Sequence, residues 1–412
     1  MQLKFWRLFV LSIVLIAPSA KALEGLSNLE TEMYRKNLDY QAQLSLLESK
    51  KTLLKSASSG FYPTLNAVGG WGQNKTDDQL TEQKGSVGYL EGRLNLYRGS
   101  KDQALSSQKQ IDVELIEVDV ELKKREMRLQ LTEVVSEMIY LHKLQEILQE
   151  ELKATQSQRQ MAAKKVSAGL TSSVDNLELD LRGHEIEIEI KQIDQMHSEN
   201  HQKLMKLFGE EVKDFDLDKI TFSPLSVFLN LEKEIKIDKN LGFKKAVLVK
   251  ERFESEKAEI KSEFLPSLDL SFANGRLTPS EESPTKFNES KYAVTLTIPL
   301  FSGRDTYYKN RAAVGQIAAA DQLKNQSRIN ADADFKILQT KISESLALNE
   351  INEKKLVAAQ KYFEMTLDEY RRGIKNSPDL VGATDRIFSA KKRSVEIVKK
   401  LEILKIQLEN LL

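Results

Sequence analysis

Apolar residues recur along this chain with two distinct periods. Met127, Leu131, Val134, Met138, Leu141, Leu148 and Leu152 follow one another at steps of mostly three and four, opposite a face of Glu, Lys, Arg and Gln. That pattern predicts an amphipathic helix with a seam for a neighbouring helix. Ser100–Ala168 contain neither Pro nor Gly, and Arg304–Arg372 contain no Pro and only Gly315. Each stretch, 100–168 and 304–372, therefore predicts a single helix about 100 Å long.

Elsewhere the period is two, as in strands with one apolar face. Tyr292, Val294, Leu296, Ile298 and Leu300 oppose Ala293, Thr295 and Thr297. Leu268, Leu270 and Phe272 oppose Ser267, Asp269 and Ser271, and Leu90, Gly92, Leu94 and Leu96 oppose Tyr89, Glu91, Arg93 and Asn95. A fourth run, Leu65–Trp71, is broken by glycines. Strands are predicted at about 64–73, 86–97, 266–274 and 291–301, with polar loops around Asn74–Gly85 and Asn274–Ser290. Leu177, Leu179, Leu181, Ile186, Ile188 and Ile190 also alternate. The segment after Asp379 does not, and Glu187 and Lys191 form an i, i+4 pair, so both return segments read as helix.

These elements come twice. Asn37-Leu38 recurs as Asn240-Leu241, and Phe61-Tyr62-Pro63-Thr64-Leu65 as Phe264-Leu265-Pro266-Ser267-Leu268, both at an offset of 203 (264 − 61). Gly99 matches Gly303 and Gly169 matches Gly373, one residue later in register, and Asp175 and Asp379 each follow their glycine by six. The domains expected are a leader at 1–22, a first repeat at 23–209, a linker or equatorial segment at 210–230 and a second repeat at 231–412. Phe208-Gly209 and Pro224 mark the linker.

The leader has a basic start at Lys4 and Arg7, a short apolar run from Leu8 to Ile16, and Ala20-Lys21-Ala22 as a small-x-small cleavage pattern. This is a secretory signal peptide, cut after Ala22. No later stretch reaches the roughly 18 apolar residues of a membrane helix, so entry into a membrane would be by strands. The chain has no Cys, which removes disulfides and thiolate chemistry. Its 61 basic and 61 acidic residues give no support for nucleic-acid binding. With 30% charged and 7% aromatic residues it resembles long solvated helices more than a compact globule. His197 and His201 stand at i, i+4 but lack the H-E-x-x-H order and a third ligand. No metal, cofactor or catalytic constellation stands out, and the chain does not read as an enzyme.

Four one-sided strands cannot span lipid alone, because an open sheet leaves edge groups unpaired and closed membrane barrels have at least eight strands. Three copies would pool twelve.

The sequence resembles the TolC-like outer-membrane efflux protein family over essentially all of Leu23–Leu412. The resemblance rests on the doubled pattern, the helix-to-strand junctions at Pro63 and Pro266, and the strand-to-helix endings at Gly99 and at Ile298-Pro299-Leu300-Phe301-Ser302-Gly303. It rests also on two hairpin tips, Ala168–Asp175 and Tyr370–Asp379. It implies a mainly α chain with a membrane β-barrel: a homotrimer forming a twelve-stranded barrel in the outer membrane of a Gram-negative bacterium, continued by a coiled-coil α-barrel in the periplasm. It implies an exit duct that docks a periplasmic adaptor (membrane fusion) protein and an inner-membrane transporter, in tripartite efflux or type I secretion. By position, Asp379 matches an aspartate of an acidic ring at the duct's constriction, Lys375 a basic locking residue and Tyr370 a tyrosine of the same network. Gly382 falls where some members carry a second acidic ring. The residues also have plainer readings. Gly169 and Gly373 suit helix ends, Ser377-Pro378 an N-cap and first helical position, and Asp175 and Asp379 the first turn of a helix. A periplasmic adaptor and a pore-less structural coiled coil are the alternatives. Two hairpins rather than one argue against the first, and amphipathic strands against the second.

Overall fold

The computed structural model describes residues 26–75, 82–211, 220–231, 234–280 and 289–412. The expected leader, the tips of both strand pairs and part of the expected linker lie outside these described residues. The first half runs α1 (Leu26–Lys36), α2 (Leu38–Ala57), β1 (Thr64–Lys75), β2 (Glu82–Arg98), α3 (Lys101–Ser167) and α4 (Ser173–Phe208). After a short helix α5 (Leu225–Leu229) come α6 (Leu241–Ser262), β3 (Ser267–Ser280), β4 (Glu289–Thr297), α7 (Asp305–Arg371) and α8 (Ser377–Leu411). The protein is mainly helical with one small antiparallel sheet. No helix among the described residues is long and apolar enough to cross a membrane.

The chain forms two compact units, and α3 and α7 contribute to both. One unit comprises residues 38–124, 236–334 and 411–412. It holds the sheet, ordered β1-β2-β3-β4 with every neighbour antiparallel. Directly paired residues share a face, so the register decides whether the four period-two patterns agree. Leu65 pairs with Gly92 and Ala67 with Leu90; Leu94 pairs with Leu270, and Leu270 with Val294. The apolar positions of all four strands thus lie on one face, where the Phe272 and Tyr292 rings meet at 5.0 Å. Thr64, Glu91, Arg93, Asp269, Ser271 and Thr295 share the other. A register shift between Asn95 and Tyr97 marks a bulge at Leu96. The strands reach further into the expected loops, to Lys75 and Ser280, but β4 ends at Thr297 rather than near 301. Pro299 has no N–H for the ladder, and the chain leaves the sheet before it.

In this unit α6 lies along α3. Leu248 packs with Ile111 and Val118, and polar rungs flank them: Lys245 to Asp119 at 2.6 Å, Arg252 to Asp112 at 2.8 Å and Gln108 to Glu259 at 2.8 Å. Lys250 and Lys324 bracket Asp321 and hold its carboxyl down at about 2.

The other unit takes residues 26–37, 125–235 and 335–410 of the described chain. The predicted stripe of α3 is its core: Met127, Leu131, Met138, Leu141 and Leu148 are all buried. Leu141 and Leu148 pack against Ile186 and Ile193 of α4. Each such side chain contributes about 1.5–3 kcal/mol by burial. The alternation that made 177–190 look like a strand is two helical stripes interleaved. Leu179, Ile186 and Ile193 face inward, whereas Val174, Leu177, Leu181 and Ile188 are exposed. Within the expected linker, residues 220–229 pack against the helices. Ile220 and Phe228 are buried, the Ser223 N–H donates to the buried Glu402 carboxylate, and buried Lys405 reaches Ser223 Oγ at 3.3 Å.

Candidate functional site

Two structural features recur at the places the sequence singles out: the turns joining α3 to α4 and α7 to α8, and the exits from β2 and β4. Both turns are closed by a left-handed glycine, Gly169 at φ 70° and Gly373 at φ 81°. The Leu170 N–H donates to the Lys165 carbonyl and the Ile374 N–H to the Glu369 carbonyl, each 2.9 Å. These bonds satisfy carbonyls that a helix end leaves bare. Ser172 caps α4 by accepting from the Val174 N–H at 3.2 Å, and the Thr171 hydroxyl donates to Asp175. Asp175 is thus engaged locally.

The second turn differs from expectation by one residue. Asn376, not Ser377, caps α8. Asn376 Oδ1 accepts from the Asp379 N–H at 3.1 Å, and Asp379 Oδ2 accepts from the Asn376 N–H at 3.4 Å. This is a reciprocal capping box built from amide and carboxylate. Ser377 is buried, its hydroxyl 3.3 Å from the Tyr370 hydroxyl. Lys375 Nζ lies 3.7 Å from Asp379, both side chains partly exposed. Lys375 and Asp379 are therefore brought together. Tyr370 is buried and meets Lys165, whose ammonium donates to the Tyr370 carbonyl and sits 4.0 Å from the ring centroid. That α3–α7 link was not anticipated. The two lie 205 positions apart, and a lysine in a helix's last turn reads as ordinary dipole pairing.

Both strand exits turn through two consecutive left-handed residues. Gly99 and Ser100 have φ 59° and 67°, Gly303 and Arg304 63° and 69°; Ser100 and Arg304 are the only non-glycine residues with positive φ among those described. A Cβ at Gly99 would stand 2.7 Å from Leu265 Cβ and 2.8 Å from the Ser262 carbonyl, whereas Gly303 has open space. Pro63 and Pro266 stand immediately before β1 and β3, where the missing N–H removes no ladder bond.

A buried ionic cluster ties α3, α4 and α8. Glu151 is fully buried, bonded to Arg182 and 3.3 Å from Lys392. Arg182 also reaches Asp385 and Glu185, each at 3.0 Å, and Lys392 reaches Glu189 at 2.9 Å. Burial opposes the charge on Arg182, but Glu185, Glu151 and Asp385 together raise its pKa. Burial pushes the Asp385 carboxyl up against the pull of Arg182. Among the described residues no three His, Cys, Asp or Glu side chains converge as metal ligands.

Residues 241–412 match the family described as outer membrane efflux protein. No curated protein matches the chain in sequence. The outer membrane protein VceC from Vibrio cholerae superposes with a TM-score of 0.80 at 13% identity, covering 94% of this chain and 96% of that one. The outer-membrane channel OprN gives 0.80 at 14% identity, covering 94% and 89%. The open state of the MtrE outer membrane channel of Neisseria gonorrhoeae gives 0.78 at 13% identity, covering 95% and 89%. At such identities the likeness shows the fold, which is that of outer-membrane channels, and residues 241–412 match the outer membrane efflux protein family.

Proposed function

We propose that three copies of this chain form an exit duct in the outer membrane of a Gram-negative bacterium. The duct passively conducts substrates delivered by a periplasmic adaptor and an inner-membrane transporter, as in tripartite efflux or type I secretion. The observation that carries this reading is the sheet. Near the helical end one face is apolar, with Leu65, Leu94, Leu270, Phe272 and Val294, and the other polar, with Thr64, Arg93, Asp269, Ser271 and Thr295; β1 and β4 are its outer strands. Lipid on one side and water on the other suits that division. Unpaired edges are intolerable in hydrocarbon, so closure needs more strands than one chain has. Three chains supply twelve, within the range of membrane barrels. The exposed stripe of α4, with Leu323, Ile337, Leu348 and Ile351 exposed on α7, gives each copy helical surface for its neighbours. We read the two halves as an internal repeat, so that the assembly has six similar units around its axis.

In this reading the turns at Gly169 and Gly373 lie at the periplasmic end, with Asp175, Tyr370, Lys375 and Asp379 around the constriction. Asp379 supplies one acidic ring, and Gly382 leaves the second ring empty. The deciding measurement is the native mass of protein extracted in detergent from separated outer membranes. A three-chain species that forms channels in planar bilayers is expected, with cation preference reduced in Asp379→Ala. A soluble periplasmic monomer would overturn the duct and favour the adaptor or coiled-coil alternative.

A further inference from the structure

The exit from β4 carries a second feature. Phe264, Leu300, Phe301, Tyr307, Tyr308, Arg304 and Arg311 line an open cavity of about 560 Å³ beside the first turns of α7. Leu300 and Phe301 are among the most exposed apolar side chains, at 93% and 83%. They lead straight on from Tyr292, Val294, Leu296 and Ile298, which are exposed too. Tyr307 and Tyr308 stack edge to face at 5.3 Å with both rings open to solvent. Positions 304, 307, 308 and 311 fall three, four and seven apart and so share one side of the chain as it enters the helix.

The charges at this cavity are unbalanced. Glu263, the only acid among its described lining residues, is engaged by the Thr306 hydroxyl at 3.2 Å and by Lys309 at 3.7 Å. Lys309 is also paired with Asp305 at 2.6 Å. Arg304 and Arg311 are exposed and take part in no ion pair among the described residues. Arg304 moreover holds a left-handed φ of 69°, a conformation costly for any residue with a Cβ. Two free guanidiniums, two tyrosines and two large apolar side chains make an ordered series from cation through amphipathic ring to hydrocarbon. Guanidinium forks match phosphate oxygens, tyrosines settle at headgroup depth, and leucine and phenylalanine suit acyl chains.

We propose that this cavity is a binding site for an anionic glycerophospholipid, its phosphate held by Arg304 and Arg311 and its upper acyl chain lying on Leu300 and Phe301. The proposal rests on the sheet being a membrane barrel, because it places the β4 exit at the lipid boundary. It goes further in giving that boundary a lipid preference.

The test titrates the detergent-purified protein with short-chain phosphatidylglycerol and, separately, phosphatidylcholine, reading bound lipid by native mass spectrometry. Arg304→Gln/Arg311→Gln should bind phosphatidylglycerol about thirtyfold more weakly than the parent, about 2 kcal/mol for two basic side chains near a lipid surface. Binding of phosphatidylcholine should be alike and weak in both. Arg304→Lys/Arg311→Lys, which keeps the charges but not the forks, should fall between them. Equal phosphatidylglycerol binding by parent and Gln variant overturns the site. Displacement of the lipid by millimolar inorganic phosphate overturns the lipid assignment in favour of a free anion. Dissociation of the Gln variant into single chains in lipid-free detergent means that the arginines pair with a neighbouring copy, which also overturns it. Failure of the membrane reading shows separately, as a parent protein that does not insert into neutral phosphatidylcholine vesicles.

Discussion

The cluster around Glu151 sets a sharp expectation, because its carboxylate has no access to water. Arg182→Ala removes the guanidinium bonded to it and leaves Lys392, at 3.3 Å and partly exposed, as its remaining cation. Breaking a buried ion pair from one side typically costs about 3–5 kcal/mol, since the stranded charge stays desolvated. With Lys392 retained, the lower end applies, about 3 kcal/mol. Glu151→Gln removes the buried charge itself. Arg182 then keeps Asp385 and Glu185, both at 3.0 Å, and the loss is about 1 kcal/mol, that of an ordinary hydrogen bond. Local opening should follow the same order. Amide hydrogen exchange along 141–155 and 179–193 should accelerate about 150-fold in Arg182→Ala and about fivefold in Glu151→Gln. Combining the two should recover much of the larger loss, because the fully buried carboxylate that Arg182→Ala strands is gone. Exchange in Arg182→Ala no faster than in Glu151→Gln would refute the reasoning, as would strict additivity in the double variant.

Two further expectations concern other positions. Gly99→Ala and Gly303→Ala both place a side chain at positive φ, costing about 1–2 kcal/mol, but only the first also collides with Leu265 and the Ser262 carbonyl, adding about 1–3 kcal/mol. The heat-stability midpoint of the protein in detergent should therefore fall further for Gly99→Ala, and equal midpoints would show that the β2 exit is not tightly packed. Asp385, raised by burial, takes up its proton more readily folded than unfolded. Its contribution to stability is therefore present in acid and is lost as pH rises through the raised value. Urea unfolding at a series of pH values should show Asp385→Asn lacking that slope, and parallel curves for the two proteins would contradict it.

What the sequence discloses follows from how far apart the causes lie. The α3 stripe and the strand alternation are local periodicities, and they anticipate which side chains are buried and which share a face. Pro299 ends β4 early although alternation continues in letters to Leu300, because the ladder stops where an N–H is missing. Asn376 is the cap although Ser377-Pro378 offers the commoner signature one residue later. The alternation in α4 misleads because a helix with apolar stripes on two sides can imitate period two over a dozen residues. The ionic cluster and the Lys165–Tyr370 link were invisible. Glu151 and Arg182 are 31 positions apart and Lys165 and Tyr370 205, and each residue alone is an ordinary charge or ring on a helix. The turn glycines and the proline and glycine junctions were legible because backbone geometry narrows the residue choice there.

The seam between β2 and β3 has a kinetic consequence. Each outer strand pairs with a neighbour close in sequence, but β2 ends at Arg98 and β3 begins at Ser267. As the chain is made from its amino end, the first hairpin is complete long before its partner has been added. During that interval one side of β2 presents bare N–H and C=O groups beside an apolar surface, the arrangement most prone to mispairing between chains. Closing the intervening segment as flexible chain costs about 4–5 kcal/mol in entropy, so the helices between them must form early to shorten it. The sheet is thus the last part to close, and the first hairpin stays open to mispairing until the second has been made.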